Sequence, residues 1–573
     1  MLKNKPTSVT DQQELSHIYV TNRRQRFKSE VNRMTSGTMR ELLGNHIHRD
    51  DLSFLLSYLY AFFWLQHNVH REYHSPLLSA FKNSPRAFLM ELLENSASGE
   101  EFIRGYIDHW MAAPAESPVQ RQQLLRLLAL HHGDSEALAA EIMATWASFR
   151  LFSRTDAVAF SEIGRRERDR YGEMLSDADR KRLALVDALP DINGKTAQFA
   201  KLGIIPAMGC PQTCRHCMFI WRPPKSQNQD PESLYQLVDA HTQSVLFTGG
   251  DLTLHMDHFY RAIRSMRHVR TFAILLNGDF ASSSEETDKA LRSMVKAIKE
   301  RPGSWPRAHI LLQISFDEFH QEVIADKHGA LRERIPVEKI ANIVEAAPRY
   351  KEIQLALLHK QNSLNFSMDL FHKGVFARLV RRLGERGHQL QVLSSAPSAR
   401  EKSNPAIPGK RGSLIKDASF ILNRHPDSPI MLTSSTIDAF GRAELLEAGE
   451  SVREKEFLAE VLRRNASPGE GFDTDLMFWF NGWVTLFSAV HISLGNLYED
   501  GAERVLSRQR KDPLSRALHN FDRSLLGYYS EIHDDLDERI TMASSPHHLF
   551  HMLTESADVR LHMTRRLIEK AVA

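Results

Sequence analysis

Residues 202–219 read LGIIPAMGCPQTCRHCMF, an apolar run followed at once by Cys210, Cys214 and Cys217. Short apolar runs bounded by turn residues predict buried strands, so the cysteines stand on the loop that leaves a strand. They are the only 3 cysteines in 573 residues. An odd, clustered trio is not a disulfide framework. It predicts a metal or cluster site. A [4Fe–4S] cluster held by three thiolates keeps one iron open to a substrate or cofactor. A structural zinc needs four protein ligands, and would have to recruit a histidine such as His216 or His241.

Downstream, apolar runs alternate with helical segments. The predicted strands are 202–208, 244–250, 271–278, 309–317, 352–359 and 390–395, with a further one at 430–437. Helical stretches such as PESLYQLVDAH, DKALRSMVKAIKE and VEKIANIVEAA lie between them. This alternation predicts parallel βαβ units. The expected fold is α/β: a partial (β/α)6 TIM-type barrel, with its active site at the strand C-termini. Upstream, strand signals are missing and apolar residues recur at helical spacing, which predicts an all-helical N-terminal domain over 1–192. The barrel is expected over 193–446. A small α+β C-terminal region is expected over 447–573.

Composition is that of a globular chain, 42% hydrophobic and 25% charged. Lys+Arg is 73 and Asp+Glu 71, a formal net charge of +2. That balance gives no reason to expect a nucleic-acid or anionic-membrane partner. The longest apolar stretch, Leu52–Leu65, falls short of the roughly 20 residues a bilayer requires. The first residues, MLKNKPTSVTDQQEL, lack a hydrophobic signal region. Cytoplasmic residence is the expectation.

The pattern CxxxCxxC, with His216 just before the third cysteine, resembles the signature of radical S-adenosylmethionine (SAM) enzymes. Phe247-Thr248-Gly249-Gly250-Asp251 resembles the family's GGE motif, with Asp for Glu. Leu275-Leu276-Asn277-Gly278 is similar to its third-strand TNG. Ile314 to His320 (ISFDEFH) is similar to the polar motif that ends its fourth strand. The resemblance implies that Cys210, Cys214 and Cys217 hold one [4Fe–4S] cluster whose fourth iron chelates SAM. It implies SAM contacts from His216, Gly249, Gly250, Asp251, Asn277, and Ser315 or Asp317. It also implies an oxidoreductase-type radical reaction, and a one-electron reductant such as ferredoxin or flavodoxin.

Asn481-Gly482-Trp483-Val484 and Leu494-Gly495-Asn496 resemble the C-terminal extension of SPASM-type radical SAM enzymes. Here the tail carries no cysteine, so no auxiliary cluster can be bound there by thiolates. The implied substrate is a peptide or a small natural product. Two alternatives stand beside this. One is a radical SAM enzyme of small-molecule metabolism whose N-terminal domain binds a partner or a metal. The other is a non-catalytic iron–sulfur sensor or scaffold.

Other features read as structural. His67, His70 and His74 share a helix face near Glu72 but lack carboxylates from other helices. His131 and His132 end a helix. Gly409-Lys410-Arg411-Gly412-Ser413 lacks P-loop spacing and reads as a solvated basic loop. Tyr498 and Trp483 are candidate cavity aromatics, but more often such residues are core.

Overall fold

The computed structural model describes Leu15 and residues 175–191, 198–208, 210–212, 214–218, 230–325, 331–360, 374–397, 415–435, 437, 440–446, 455–463 and 472–572. Apart from Leu15 and the end of that stretch, the expected N-terminal helical domain lies outside the described residues. So do the histidines at 67, 70, 74, 131 and 132, and the 409–413 loop. What is described of this stretch includes helix α1 (Asp177–Asp187), whose N-cap Ser176 accepts from the Asp179 amide.

Strands and helices then alternate as β1 (Leu202–Ile205), α2 (Pro231–His241), β2 (Ser244–Phe247), α3 (Met256–Ser265), β3 (Thr271–Leu276), α4 (Ser284–Lys299) and β4 (His309–Ser315). The next elements are the hairpin β5 (Val323–Ala325) and β6 (Leu331–Glu333), then α5 (Val337–Ala346), β7 (Ile353–Lys360) and α6 (Gly374–Glu385). The helix starts are legible locally. Asp230 caps α2 with Pro231 in its first turn, and Ser283 caps α4. β1 is apolar without alternation because both its faces are covered; Leu202, Ile204 and Ile205 are all buried.

β1, β2, β3, β4 and β7 pair in parallel in that order. The sequence predicts residues 390–395 as the next barrel strand. Instead β8 (Leu390–Pro397) lies at the sheet's edge, antiparallel to β9 (Ile415–Leu422). β9 turns into β10 (His425–Ser435), and β10 takes the parallel place beside β7. Burial explains the exchange. An inner barrel strand needs apolar residues on covered faces, as Ile430 and Leu432 provide. Val392 and Leu393 of β8 stay 43% and 51% exposed.

After α7 (Lys455–Arg463), β11 (Leu476–Trp479) adds to the other side of the sheet, parallel to β1. β12 (Trp483–Leu486) and β13 (Ser493–Asn496) follow as an antiparallel meander. Gly203 allows the close approach: a Cβ there would meet Met477 Sδ at 2.5 Å.

A helical layer closes the chain: α8 (Leu497–Asp500), α9 (Ala502–Lys511), α10 (Pro513–His519), α11 (Ser524–Ser530), α12 (Leu536–Met542), α13 (Pro546–Leu553) and α14 (Ala557–Val572). α1 packs on this layer through buried ion pairs. Arg182 meets Asp512 at 2.9 Å, and Arg560 meets Asp179 at 2.8 Å.

Among the described residues, 321–325 and 331–336 belong to one compact unit, and residues from Leu175 onward otherwise belong to another. In the first unit the β5–β6 hairpin is closed by a buried Arg334–Glu322 pair at 2.8 Å. No helix among the described residues is long and apolar enough to cross a membrane.

Candidate active site

A cavity of about 260 Å³ opens at the C-terminal ends of the parallel strands. Cys210, Cys214 and Cys217 all line it, beyond the end of β1. Cys214 is buried, and the other two are half-buried. The cysteine turn is fixed by backbone: the Cys217 amide donates to the Cys214 carbonyl (3.2 Å), and the Arg442 amide donates to that of Cys217 (2.9 Å). A parallel sheet delivers loops to this end from every strand, so residues distant in sequence converge here.

The loop after β2 supplies Thr248, Gly249 and Gly250 to the same wall. The Thr248 amide donates to the Ile204 carbonyl (3.0 Å), and Gly250 approaches Ala207 in the same way (3.4 Å). Gly249 has φ +145°, and a Cβ on it would sit 2.5 Å from the Ala207 carbonyl oxygen. The glycine is therefore required by backbone and by space. Asp251 is not among the lining residues. Its Oδ1 accepts from the Thr253 amide (3.0 Å) and hydroxyl (2.6 Å), capping a short 3-10 turn over Leu252–His255.

Asn277, just past β3, lines the cavity while its Oδ1 accepts from the Asp279 amide (2.8 Å). Asp279 in turn pairs with Lys339 at 2.6 Å. Ser315, Asp317 and His320 come from the end of β4. Asp317 is 1% exposed. Its Oδ1 accepts from the Phe319 and His320 amides at 2.9 and 2.8 Å. His320 Nδ1 lies 3.0 Å from its Oδ2. Burial pushes the Asp317 carboxyl up, but the neighbouring His320 and His216 and the bonds from His320 outweigh it and hold the group well below the usual carboxylate range.

His216 also lines the cavity. Its ring stacks on Phe319 with centroids 4.7 Å apart and meets His320 edge-on at 4.7 Å. Its Nε2 is 3.6 Å from Asp317 Oδ2, and its Nδ1 is buried without a hydrogen-bond partner. Burial depresses this imidazole to about 3, against the opposing pull of Asp317. His216 is therefore neutral at physiological pH.

Of the sequence-derived candidates, the three cysteines, His216, Gly249, Gly250, Asn277, Ser315 and Asp317 share this one cavity. His241, the other histidine considered for a zinc site, ends α2 against Phe199 and does not reach it. Tyr498 lies 45% exposed over Gly482, and Trp483 packs on the core around Trp479; neither lines the cavity. Lining residues not singled out in the sequence include Gln212, Leu358, Lys360 and Phe440. Lys360 had a legible signal, because it is the polar residue that ends β7.

The donor set suits an iron–sulfur cluster. Three thiols meet in one cavity, there is no fourth cysteine to close the coordination, and polar strand ends flank the open side. No curated protein sequence matches the chain. Among solved structures, one similar in part is SuiB of Streptococcus suis bound to the precursor peptide SuiA. It is 16% identical, with a TM-score of 0.22, over 36% of this chain and 41% of that one. The chain thus spans about two fifths of that protein's length. Native anSMEcpe with bound AdoMet is 14% identical, with a TM-score of 0.31, over 65% of this chain and 99% of that one. A form of anSMEcpe that also holds a Kp18Cys peptide is 12% identical, with the same TM-score and coverage. The profile of the Radical SAM superfamily matches residues 204–362, the stretch from β1 through β7 that builds most of the cavity wall. Residues 204–362 therefore form a domain of the Radical SAM superfamily.

Proposed function

We propose that the chain is an enzyme that cleaves SAM reductively and abstracts a hydrogen atom from a peptide or small natural product. The observation that carries this reading is the convergence of Cys210, Cys214 and Cys217 with Gly249, Gly250, Asn277 and Ser315 on one cavity at the strand C-termini. When bound, a [4Fe–4S] cluster would supply the electron that cleaves SAM to methionine and a 5′-deoxyadenosyl radical, drawn from a ferredoxin- or flavodoxin-type reductant. The three cysteines would hold three irons.

The Gly249–Gly250 turn would offer carbonyl oxygens to the ammonium of SAM, with Asp251 adding negative charge from behind the turn. Ser315 would accept or donate at a ribose hydroxyl, and Asn277 would face the same ligand. Met208, Leu275, Leu358 and Phe440 give that wall apolar surface that excludes water, as a radical site needs. The peptide or natural-product class of the substrate rests on the resemblance of residues 481–500 to a SPASM-type extension. The cluster is tested by anaerobic reconstitution and metal analysis. One cluster predicts about four irons and four sulfides per chain, and Cys214→Ala should lose them. About eight irons, or iron retained by the variant, would refute a single cluster on these cysteines.

A further inference from the structure

His320 has no place in the SAM reading, and it stands in the cavity beside two residues read above as SAM contacts, His216 and Asp317. His216, Asp317 and His320 each offer a metal-ligating atom, and these atoms all lie within 4.8 Å of one another. His320 Nδ1 and His216 Nε2 are 3.0 and 3.6 Å from the same Asp317 oxygen. A tetrahedral zinc with bonds of about 2.0–2.1 Å holds its donors roughly 3.3–3.4 Å apart. The two measured spacings bracket that value. All three residues line the cavity, so coordination positions left over would face it.

The surroundings support a ligand site over a simple ion pair. His216 is only 9% exposed, and its Nε2 is 3.6 Å from Asp317 Oδ2, beyond hydrogen-bond distance. An ion on Nε2 would join this nitrogen to the carboxylate, which no direct hydrogen bond does. Its ring is held from both sides, stacked on Phe319 and edge-on to His320. Asp317 Oδ1 accepts from two backbone amides, and its Oδ2 lies 3.0 Å from His320 Nδ1 and 3.6 Å from His216 Nε2. Two imidazole nitrogens and one carboxylate form a set that divalent transition ions favour. Three protein ligands with an open position mark a metal able to bind substrate.

We propose that His216, Asp317 and His320 bind one divalent transition-metal ion of the zinc class beside the cysteine site, with its open positions turned to the cavity. Binding requires His320 Nδ1 unprotonated, so its proton moves to Nε2 or leaves to solvent. The ion would draw an oxygen, nitrogen or sulfur donor of the substrate into the cavity.

The test uses the full-length chain carrying C210A, C214A and C217A, so that thiolates neither bind zinc nor build a cluster. Its outcome is therefore independent of whether the SAM reading holds. Zn²⁺ is the probe, titrated against a competing chelator. The proposal predicts one Zn²⁺ per chain, with affinity falling more than about a hundredfold on adding D317N or H320A, beyond the 10–100-fold typical of outer-sphere changes. A smaller fall with either substitution, or no zinc retained, would overturn it and leave an ion pair. Should the cysteine-free chain fail to fold, Co²⁺ is added to the cluster-loaded wild-type chain. One Co²⁺ with nitrogen–oxygen ligand-field bands, absent in H320A, supports the site. Their absence in wild type, or their persistence in H320A, refutes it.

Discussion

Replacing Gly249 with Ala perturbs the cavity wall where the backbone leaves least room. Gly249 has φ +145°, a region that side chains rarely adopt. Holding a non-glycine residue in such a conformation costs about 1–3 kcal/mol. The new Cβ would also sit 2.5 Å from the Ala207 carbonyl oxygen and 3.1 Å from Ile205 Cγ2. Neither neighbour yields easily. Ala207 O faces the Gly250 amide at 3.4 Å, and Ile205 is a fully buried core residue of β1. Overpacking of this kind adds about 1–3 kcal/mol. The sum is a destabilisation of about 2–6 kcal/mol, unless the turn moves away from β1. A displaced turn would carry Gly250 with it and weaken SAM binding. Denaturant unfolding gives the stability, and anaerobic equilibrium binding gives the SAM affinity. Gly303→Ala is the control, because a Cβ at Gly303 meets nothing within 4 Å; its effect should stay within about 0.5 kcal/mol. If Gly249→Ala matches that control in stability and binds SAM as wild type, the reasoning is wrong.

Arg182→Met breaks the buried pair with Asp512, whose partners are 1% and 0% exposed, and leaves a charge behind. The expected loss of stability is about 3–5 kcal/mol by denaturant unfolding, and a loss under about 1 kcal/mol would contradict it. Asp251→Ala removes the cap of the 3-10 turn, costing about 1 kcal/mol. If Asp251 also faces the SAM ammonium, affinity falls as well, which calorimetry separates from stability. His359 is buried and its imidazole is pushed down to about 4 by burial, with Asp317 opposing. The unfolded chain takes up a proton below about pH 6.5 that the folded chain refuses until about pH 4. Stability is therefore full above pH 6.5 and falls by about 1.4 kcal/mol per pH unit between the two values. His359→Gln should flatten that slope by one proton between pH 6 and 5; an unchanged slope counts against the assignment.

The parallel strands β1 to β4 and β7 were legible as short apolar runs between helical segments, and the antiparallel β5–β6 hairpin was not expected. Pairing was not legible. An apolar run says that a strand is buried, not which strand it lies beside. Hence LQVLSS read as the next barrel strand, while the place beside β7 went to β10 and β9 was not expected at all. β11 was hidden for the same reason: its aromatic stretch announces burial, and nothing local announces a partner 274 residues earlier, as Gly203 is to Met477. At the site, residues given by short motifs after β1, β2, β3 and β4 did converge. Asp251 read as a ligand contact, although the Asp-x-Thr pattern also spells a turn cap, which is the bond it makes. The grouping of His216 with His320 required the fold, because the two stand on loops leaving different strands.

Formation of 5′-deoxyadenosine tests the central claim most directly. The cluster is reconstituted anaerobically and reduced, SAM is added, and products are followed by mass spectrometry beside Cys214→Ala. The account predicts 5′-deoxyadenosine from the wild-type chain and none from the variant. Equal amounts from both, or a wild-type chain that binds no iron and holds zinc on the three cysteines, would contradict it.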